Sequence, residues 1–133
     1  MNFSQRLLIL FIMIFCHLID DYKLQGVLAN FKQRQWWKEN ANYSLYKNDY
    51  KVALIEHSFS WSFTTTLPLL YIAITQHNTL LSWLLIFSYI INTIVHAKID
   101  NEKANKYTIN LMIDQSLHLF QILLTWIIAM GAI

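Results

Sequence analysis

Four stretches of the chain are apolar over about the ~20 residues that a helix needs to cross a hydrocarbon core: residues 7–26, 52–75, 79–97 and 108–133. Each is interrupted by polar residues, and the interruptions are periodic. In the first stretch His17, Asp21 and Gln25 are four apart, and in the second His57, Ser60 and Thr64 fall at i, i+3 and i+7. The third carries Ser88, Asn92, His96 and Asp100 at spacings of four, and the fourth Asp114, His118, Gln121 and Thr125. Residues three or four apart share a helix face. Each stretch is therefore predicted to be a helix that turns one polar stripe toward the others and shows Leu, Ile and Phe outward. The uninterrupted apolar run of the first, Leu7 to Cys16, is short, so it spans only if its later polar residues are buried. Pro68 predicts a kink in the second, where the hydroxyls of Thr64, Thr65 and Thr66 can satisfy the backbone group it frees.

Composition sharpens this. The chain has 133 residues, 56% of them hydrophobic and 14% charged, with two Gly and one Pro. One domain, residues 1–133, is expected, and helices rather than alternating barrel strands are the natural spanning elements. The predicted fold is all-α: an integral membrane bundle of four transmembrane helices with their polar residues converging in one half. Cys16 stands alone and packs as a small hydrophobe. Arg6 followed by an apolar run resembles a signal peptide, but small residues before a cleavage point are missing, and the segment is kept as a helix.

Charge gives an orientation. Nine of the ten basic residues flank or fill the connections at 27–51 and 98–107, and only Arg6 lies at the other end. The positive-inside rule then puts both of these loops in the cytoplasm and both termini outside, in a bacterial inner membrane. The first loop interleaves Phe31, Trp36, Trp37, Tyr43, Tyr46 and Tyr50 with cations, a composition suited to a partly helical segment in the headgroup layer of the lipid bilayer. Basic and aromatic residues also grip single-stranded nucleic acid, but with membrane helices on both sides no nucleic-acid partner is expected. A sequon at Asn42-Tyr43-Ser44 is discounted because a cytoplasmic loop does not meet the transferase.

Under this topology His17, Asp21, His57, His96, Asp100, Asp114 and His118 all fall in the cytoplasmic half. Ionisable groups at membrane depth cost on the order of 2.5–3.5 kcal/mol each, so the set must be neutralised. Four imidazoles with three carboxylates are ligand chemistry for a divalent transition metal, Zn first, with Mn and Fe as alternatives. Seven donors exceed one tetrahedral shell: either some orient the ligands from behind, or two ions bind. A proton or ion path, and interhelical hydrogen bonding alone, are the competing readings. Asp20 lies about 100° around an α-helix from Asp21 and is expected to reach for the interface instead. His77 is expected on the surface.

The ordered set His17-Leu-Ile-Asp-Asp21-Tyr-Lys-Leu-Gln25, then His57, then His96-Ala-Lys-Ile-Asp100, then Asp114-Gln115-Ser-Leu-His118 resembles the bacterial and phage membrane family of domain of unknown function 3307, from about residue 12 to 128. It is also similar to inner-membrane proteins described as predicted metal-dependent hydrolases. The position of Asp20 is usually a small residue in that pattern, a departure here. The resemblance implies functional roles for His17, Asp21, Gln25, His57, His96, Asp100, Asp114, Gln115 and His118.

Three functions are therefore expected to compete. The first is a metal-dependent hydrolase acting on a lipid-type or phosphate-bearing substrate at the cytoplasmic leaflet, with Asp114 or Asp21 as general base and Lys103 steadying an anionic headgroup. Gln25, Asn92 and Gln115 would then touch substrate or support ligands. The second is a small transporter or proton- or ion-conducting subunit. The third is a non-catalytic binding or regulatory protein with a structural metal. HSFSWS offers hydroxyls without the Gly-flanked elbow of a serine triad. A homodimer is compatible with the large apolar perimeter, although no GxxxG-type motif specifies an interface.

Overall fold

A computed structural model describes residues 1–133 and consists of helices joined by short turns, without strands. α1 (Phe3–Ile19) begins at a reciprocal capping box between Asn2 and Gln5. Its backbone then widens into a π-helical turn over Asp20–Leu24, closed by the Gln25 amide on the Asp20 carbonyl. Gly26, at φ +46°, turns the chain out of this segment. The connection at 27–51 is itself helical: α2 (Leu28–Phe31), α3 (Arg34–Asn40) and α4 (Tyr43–Tyr46). Its aromatic residues pack mainly on one another, Phe31 and Trp36 with centroids 4.6 Å apart and Trp37 stacked on Tyr46 at 5.7 Å.

α5 (Asp49–Thr75) runs through Pro68 and packs most extensively on α6 (Thr79–Asn101). α6 starts at Asn78, whose side chain accepts from the Leu81 amide, and continues into a second π-helical turn, Glu102–Lys106. α7 (Leu111–Met130) starts at Asn110, which caps Ile113 in the same way. The helices of the second and third stretches thus reach beyond the apolar runs that announce them, because Lys98, Asp100 and Asn101 remain helical where hydropathy has already fallen. The fourth is shorter than its apolar run, which starts before the Asn110 cap.

Two helices, Thr79–Lys106 and Leu111–Met130, are long and apolar enough to cross a membrane. α5 has 27 residues, but its His57, Ser58, Ser62, Thr65 and Thr66, all buried, lower its hydropathy; α1 extends for 17 residues before the backbone widens. Burial is inverted relative to a water-soluble domain. Sixteen of the 29 buried residues are polar or charged, while Phe11, Phe15, Phe59, Phe63, Trp83, Phe87 and Phe120 are exposed.

The two halves of the bundle differ. One half holds the apolar core, with Ile9, Met13, Leu69, Ala73, Leu81, Leu85, Ile122 and Ala129 packed together. Its end is tied by Arg6 Nη1 donating to the Met130 carbonyl at 3.0 Å, Trp126 Nε1 to the Arg6 carbonyl at 2.9 Å, and Asn78 Nδ2 to the Ala132 carbonyl at 2.8 Å. Both chain termini and the α5–α6 turn therefore share that end. The other half, roofed by α2 to α4, contains the buried ionisable residues.

Candidate metal centre

His17, Asp21, His57, His96, Asp100, Asp114 and His118 are all buried. Each lies where its helix enters or leaves the roofed half: the end of α1 and its π-turn, the first third of α5, the end of α6, and the first turns of α7. Asp114 sits one turn into α7, where the exposed amides of the helix start favour an anion.

Three imidazole nitrogens and three carboxylates converge at the centre. His57 Nε2 lies 3.2 Å from His96 Nε2, 3.2 Å from Asp21 Oδ1 and 3.5 Å from Asp100 Oδ2. His96 Nε2 is 4.0 Å from Asp21 Oδ1 and 3.7 Å from Asp100 Oδ1. His118 Nε2 is 3.2 Å from Asp100 Oδ1 and 3.4 Å from Asp114 Oδ1. Donors at ~2.0–2.1 Å around a tetrahedral ion stand about 3.3 Å from one another. Two groups, Asp21–His57–His96 and His96–Asp100–His118, have the compactness that one ion requires, so the residues fit a divalent metal.

Hydrogen-bond logic points the same way. Gln121 Nε2 donates to the Asn92 carbonyl at 3.3 Å, which turns Gln121 Oε1 toward His118 Nδ1 at 3.4 Å. An amide oxygen only accepts, so Nδ1 of His118 carries a proton, and the ring when neutral aims its Nε2 lone pair at two carboxylates. Lone pair against carboxylate is repulsive unless a cation, metal ion or proton, lies between them. His57 and His96 aim their Nε2 atoms at each other, while the Nδ1 atoms of both rings, Asp114 Oδ1 and Asp20 Oδ2 have no hydrogen-bond partner. Buried polar atoms left over in one cluster are expensive, and a shared ion removes much of that cost.

Behind the converging atoms stands a supporting layer. Asp20 is fully buried rather than at the interface: its Oδ1 accepts from Ser60 at 2.8 Å and Thr64 at 3.2 Å, and its Oδ2 faces His57 Nδ1 at 3.7 Å. The π-turn that starts at Asp20 breaks the 100° spacing on which the opposite expectation rests. Asp114 approaches His118 but belongs to neither ion-sized group, and His17 joins neither of them. Its Nδ1 accepts from Trp61 Nε1 at 2.7 Å, its Nε2 is 3.0 Å from Gln115 Oε1, and Gln115 Nε2 donates onward to Asp21 Oδ2 at 2.9 Å and Asp114 Oδ2 at 3.1 Å. His17 thus orients Gln115, which orients two carboxylates. Trp61, absent from the sequence-derived set, stacks on His96 with centroids 4.2 Å apart and closes the centre against the apolar half.

Two ammonium groups enter from the roof. Lys32 on the turn after α2 donates to Asp100 Oδ2 at 2.6 Å, and Lys103 on the second π-turn donates to Asp114 Oδ2. Lys32 is held by its own carbonyl, which accepts from Asn105 Nδ2 at 2.9 Å. Taken as ionised, the carboxylates of Asp20, Asp21, Asp100 and Asp114 outnumber these two cations by two, so with neutral imidazoles the cluster lacks two positive charges.

Two sequence-derived positions lie outside the centre. Gln25 folds back on its own turn, donating to the Asp21 carbonyl, and Asn92 joins α6 to α7 through Thr125 Oγ1 at 2.8 Å. His77 is exposed at the α5–α6 turn, as expected. Nothing in the first loop marks Lys32 as the one lysine that reaches inward, since its partner is 68 residues away. Comparison of the chain with protein-family models, with curated proteins and with solved structures finds no match, so the site is argued from its geometry alone.

Proposed function

We propose that this chain is a multi-pass membrane protein with an intramembrane His/Asp metal centre, acting as a metal-dependent hydrolase at the cytoplasmic leaflet. The observation that carries the reading is the convergence of three His Nε2 atoms and three carboxylates at ligand-to-ligand distances, in a bundle whose polar residues are inside and whose aromatic residues are outside. In this reading all four long helices span, α1 and α5 being masked from a hydropathy criterion by the polar faces they bury. The concentration of cations at the roofed end supports a cytoplasmic roof and termini on the far side.

A bound dication would lower the pKa of a contacting water toward ~7 and polarise a phosphoryl or acyl oxygen. The residues supply the rest. Asp114 is the general base: its Oδ1 is free of hydrogen bonds and its Oδ2 is held by Lys103 and Gln115. It takes the proton of the attacking water as the new O–P or O–C bond forms, and returns it to the leaving oxygen as the old bond breaks. Asp21, fixed by Gln115, holds an imidazole pair in place. The apolar half beyond Trp61 favours a closed site over a through-path, which argues against a transporter.

The test is hydrolysis of lipid phosphates and phospholipid esters in mixed micelles, with and without chelator, by wild type and Asp114→Asn. The expected result is chelator-sensitive turnover that falls about 10²–10⁴-fold in the variant. Metal-loaded protein without turnover on either substrate class would remove the hydrolase and leave a structural metal in a binding or regulatory protein.

A further inference from the structure

We propose that the centre takes two divalent cations bridged by the Asp100 carboxylate, and that the doubly loaded centre selects a ligand bearing a phosphate group. The proposal rests on the metal reading above and goes further by fixing ion number and substrate class. Asp100 presents its two side-chain oxygens to two different candidate ligand imidazoles, whereas the second oxygen of Asp21 faces His17, which lies outside the ion-sized groups. Asp100 Oδ2 is 3.5 Å from His57 Nε2, and Asp100 Oδ1 is 3.2 Å from His118 Nε2.

The donors divide cleanly around that bridge. His57 and His96 with Asp21 Oδ1 form one group. His118 forms the other, beside Asp114 Oδ1, an oxygen that has no hydrogen-bond partner and stays free to take a proton. His96 Nε2 serves only one ion, and its 3.2 Å approach to His57 Nε2 assigns it to the first.

The lysines fit the same division. Lys32 stands on the oxygen of Asp100 that faces His57, and Lys103 stands on Asp114. Each ammonium thus covers a carboxylate at one group, as a stand-in for positive charge. Two dications would change the cluster from an excess of two negative charges to an excess of two positive ones. A buried excess of that size demands an anion. A phosphate dianion supplies it, and the two lysines, Lys32 being relieved of the Asp100 carboxylate that the ions now hold, are placed to grip its oxygens. Lys103, with 31% of its side chain exposed, marks the open side through which such a group would arrive. A neutral carboxylic ester would leave the charge uncompensated, so the arrangement favours phosphoryl over acyl substrates.

The experiment is a Mn²⁺ titration of the detergent-purified full-length chain, followed by electron paramagnetic resonance, with and without inorganic phosphate. Two ions per chain with an exchange-coupled spectrum are expected, and phosphate should tighten the second ion by about tenfold or more through linkage. Asp100→Asn should lose the coupled spectrum and retain one ion. Lys103→Met should keep two ions and lose most of the phosphate effect, which tests the anion independently of the fold of the Asp100 variant. One ion per chain, two uncoupled ions, or a second-ion affinity indifferent to phosphate would each overturn the proposal while leaving a metal centre. No bound ion at all would instead overturn the metal reading on which it rests.

Discussion

The indole of Trp61 donates to Nδ1 of His17 at 2.7 Å, and this one contact fixes the protonation of a whole relay. Because an indole N–H can only donate, His17 must carry its proton on Nε2, hand it toward Gln115 Oε1, and so point the Gln115 amide at Asp21 and Asp114. Replacing Trp61 by Phe keeps a ring against His96 and removes only the donor. The variant should lose about 1–3 kcal/mol of unfolding free energy from a buried acceptor left unpaired, with its metal content unchanged. Denaturant titration in detergent beside elemental analysis measures both. Loss of the metal together with stability would instead make His17 a ligand.

Asp20 provides a second test, because its two oxygens have different tasks. One holds Ser60 and Thr64, and the other faces the back of His57. Asp20→Ala should weaken metal affinity by about 10–100-fold while leaving the number of ions the same, the usual consequence of removing a carboxylate that orients a ligating imidazole. An affinity equal to wild type would mean that Asp20 is only a hydrogen-bonding residue between α1 and α5.

The spacing rule that found most of the centre also explains what it missed. His57, His96, Asp100, Asp114 and His118 lie on regular α-helix, so a period near four puts them on one face, and the structure brings their side chains together. Asp20 escapes the spacing rule because the backbone beneath it is π-helical, which no hydropathy pattern announces. Lys32 and Trp61 were invisible for a different reason. A lysine among other loop lysines and a tryptophan in an apolar run gain their roles only from tertiary packing, across 68 residues to Asp100 and 44 to His17 respectively. The first connection is partly helical as its composition suggests, but the bounds of its three short helices are unmarked, being four to seven residues long and held by aromatic packing rather than by an apolar stripe. Gln25 and Asn92 show the converse: they share the stripe, yet backbone and hydroxyl partners nearby take up their amides.

Lys32 should matter most when no ion is present. Lys32→Met breaks a buried ion pair, and removal of one member of such a pair typically costs about 3–5 kcal/mol. That loss is expected in chelated protein, whereas protein refilled with divalent metal should lose far less, because Asp100 then has another cation. Thermal unfolding of wild type and variant in both conditions gives the comparison. Equal losses with and without metal would show that Lys32 is a fixed structural partner.

The orientation is tested by single cysteines in a Cys16→Ser background. A cysteine at Ser44, exposed in the roof, should react with impermeant maleimide only in inside-out membrane vesicles, and one at Gln76, exposed at the α5–α6 turn, only in right-side-out vesicles. Labelling of both from the same side would refute the four-helix crossing.

The most direct measurement is the metal content of the purified chain by elemental analysis, wild type beside His96→Ala and His118→Ala, after expression with Zn, Mn and Fe supplied. The account predicts stoichiometric divalent transition metal in the wild type, strongly reduced when either imidazole is removed, since both belong to a compact group of buried donors. Wild-type protein that stays free of metal even after repletion would contradict it, and would leave the converging His and Asp residues as a protonated hydrogen-bond network between helices.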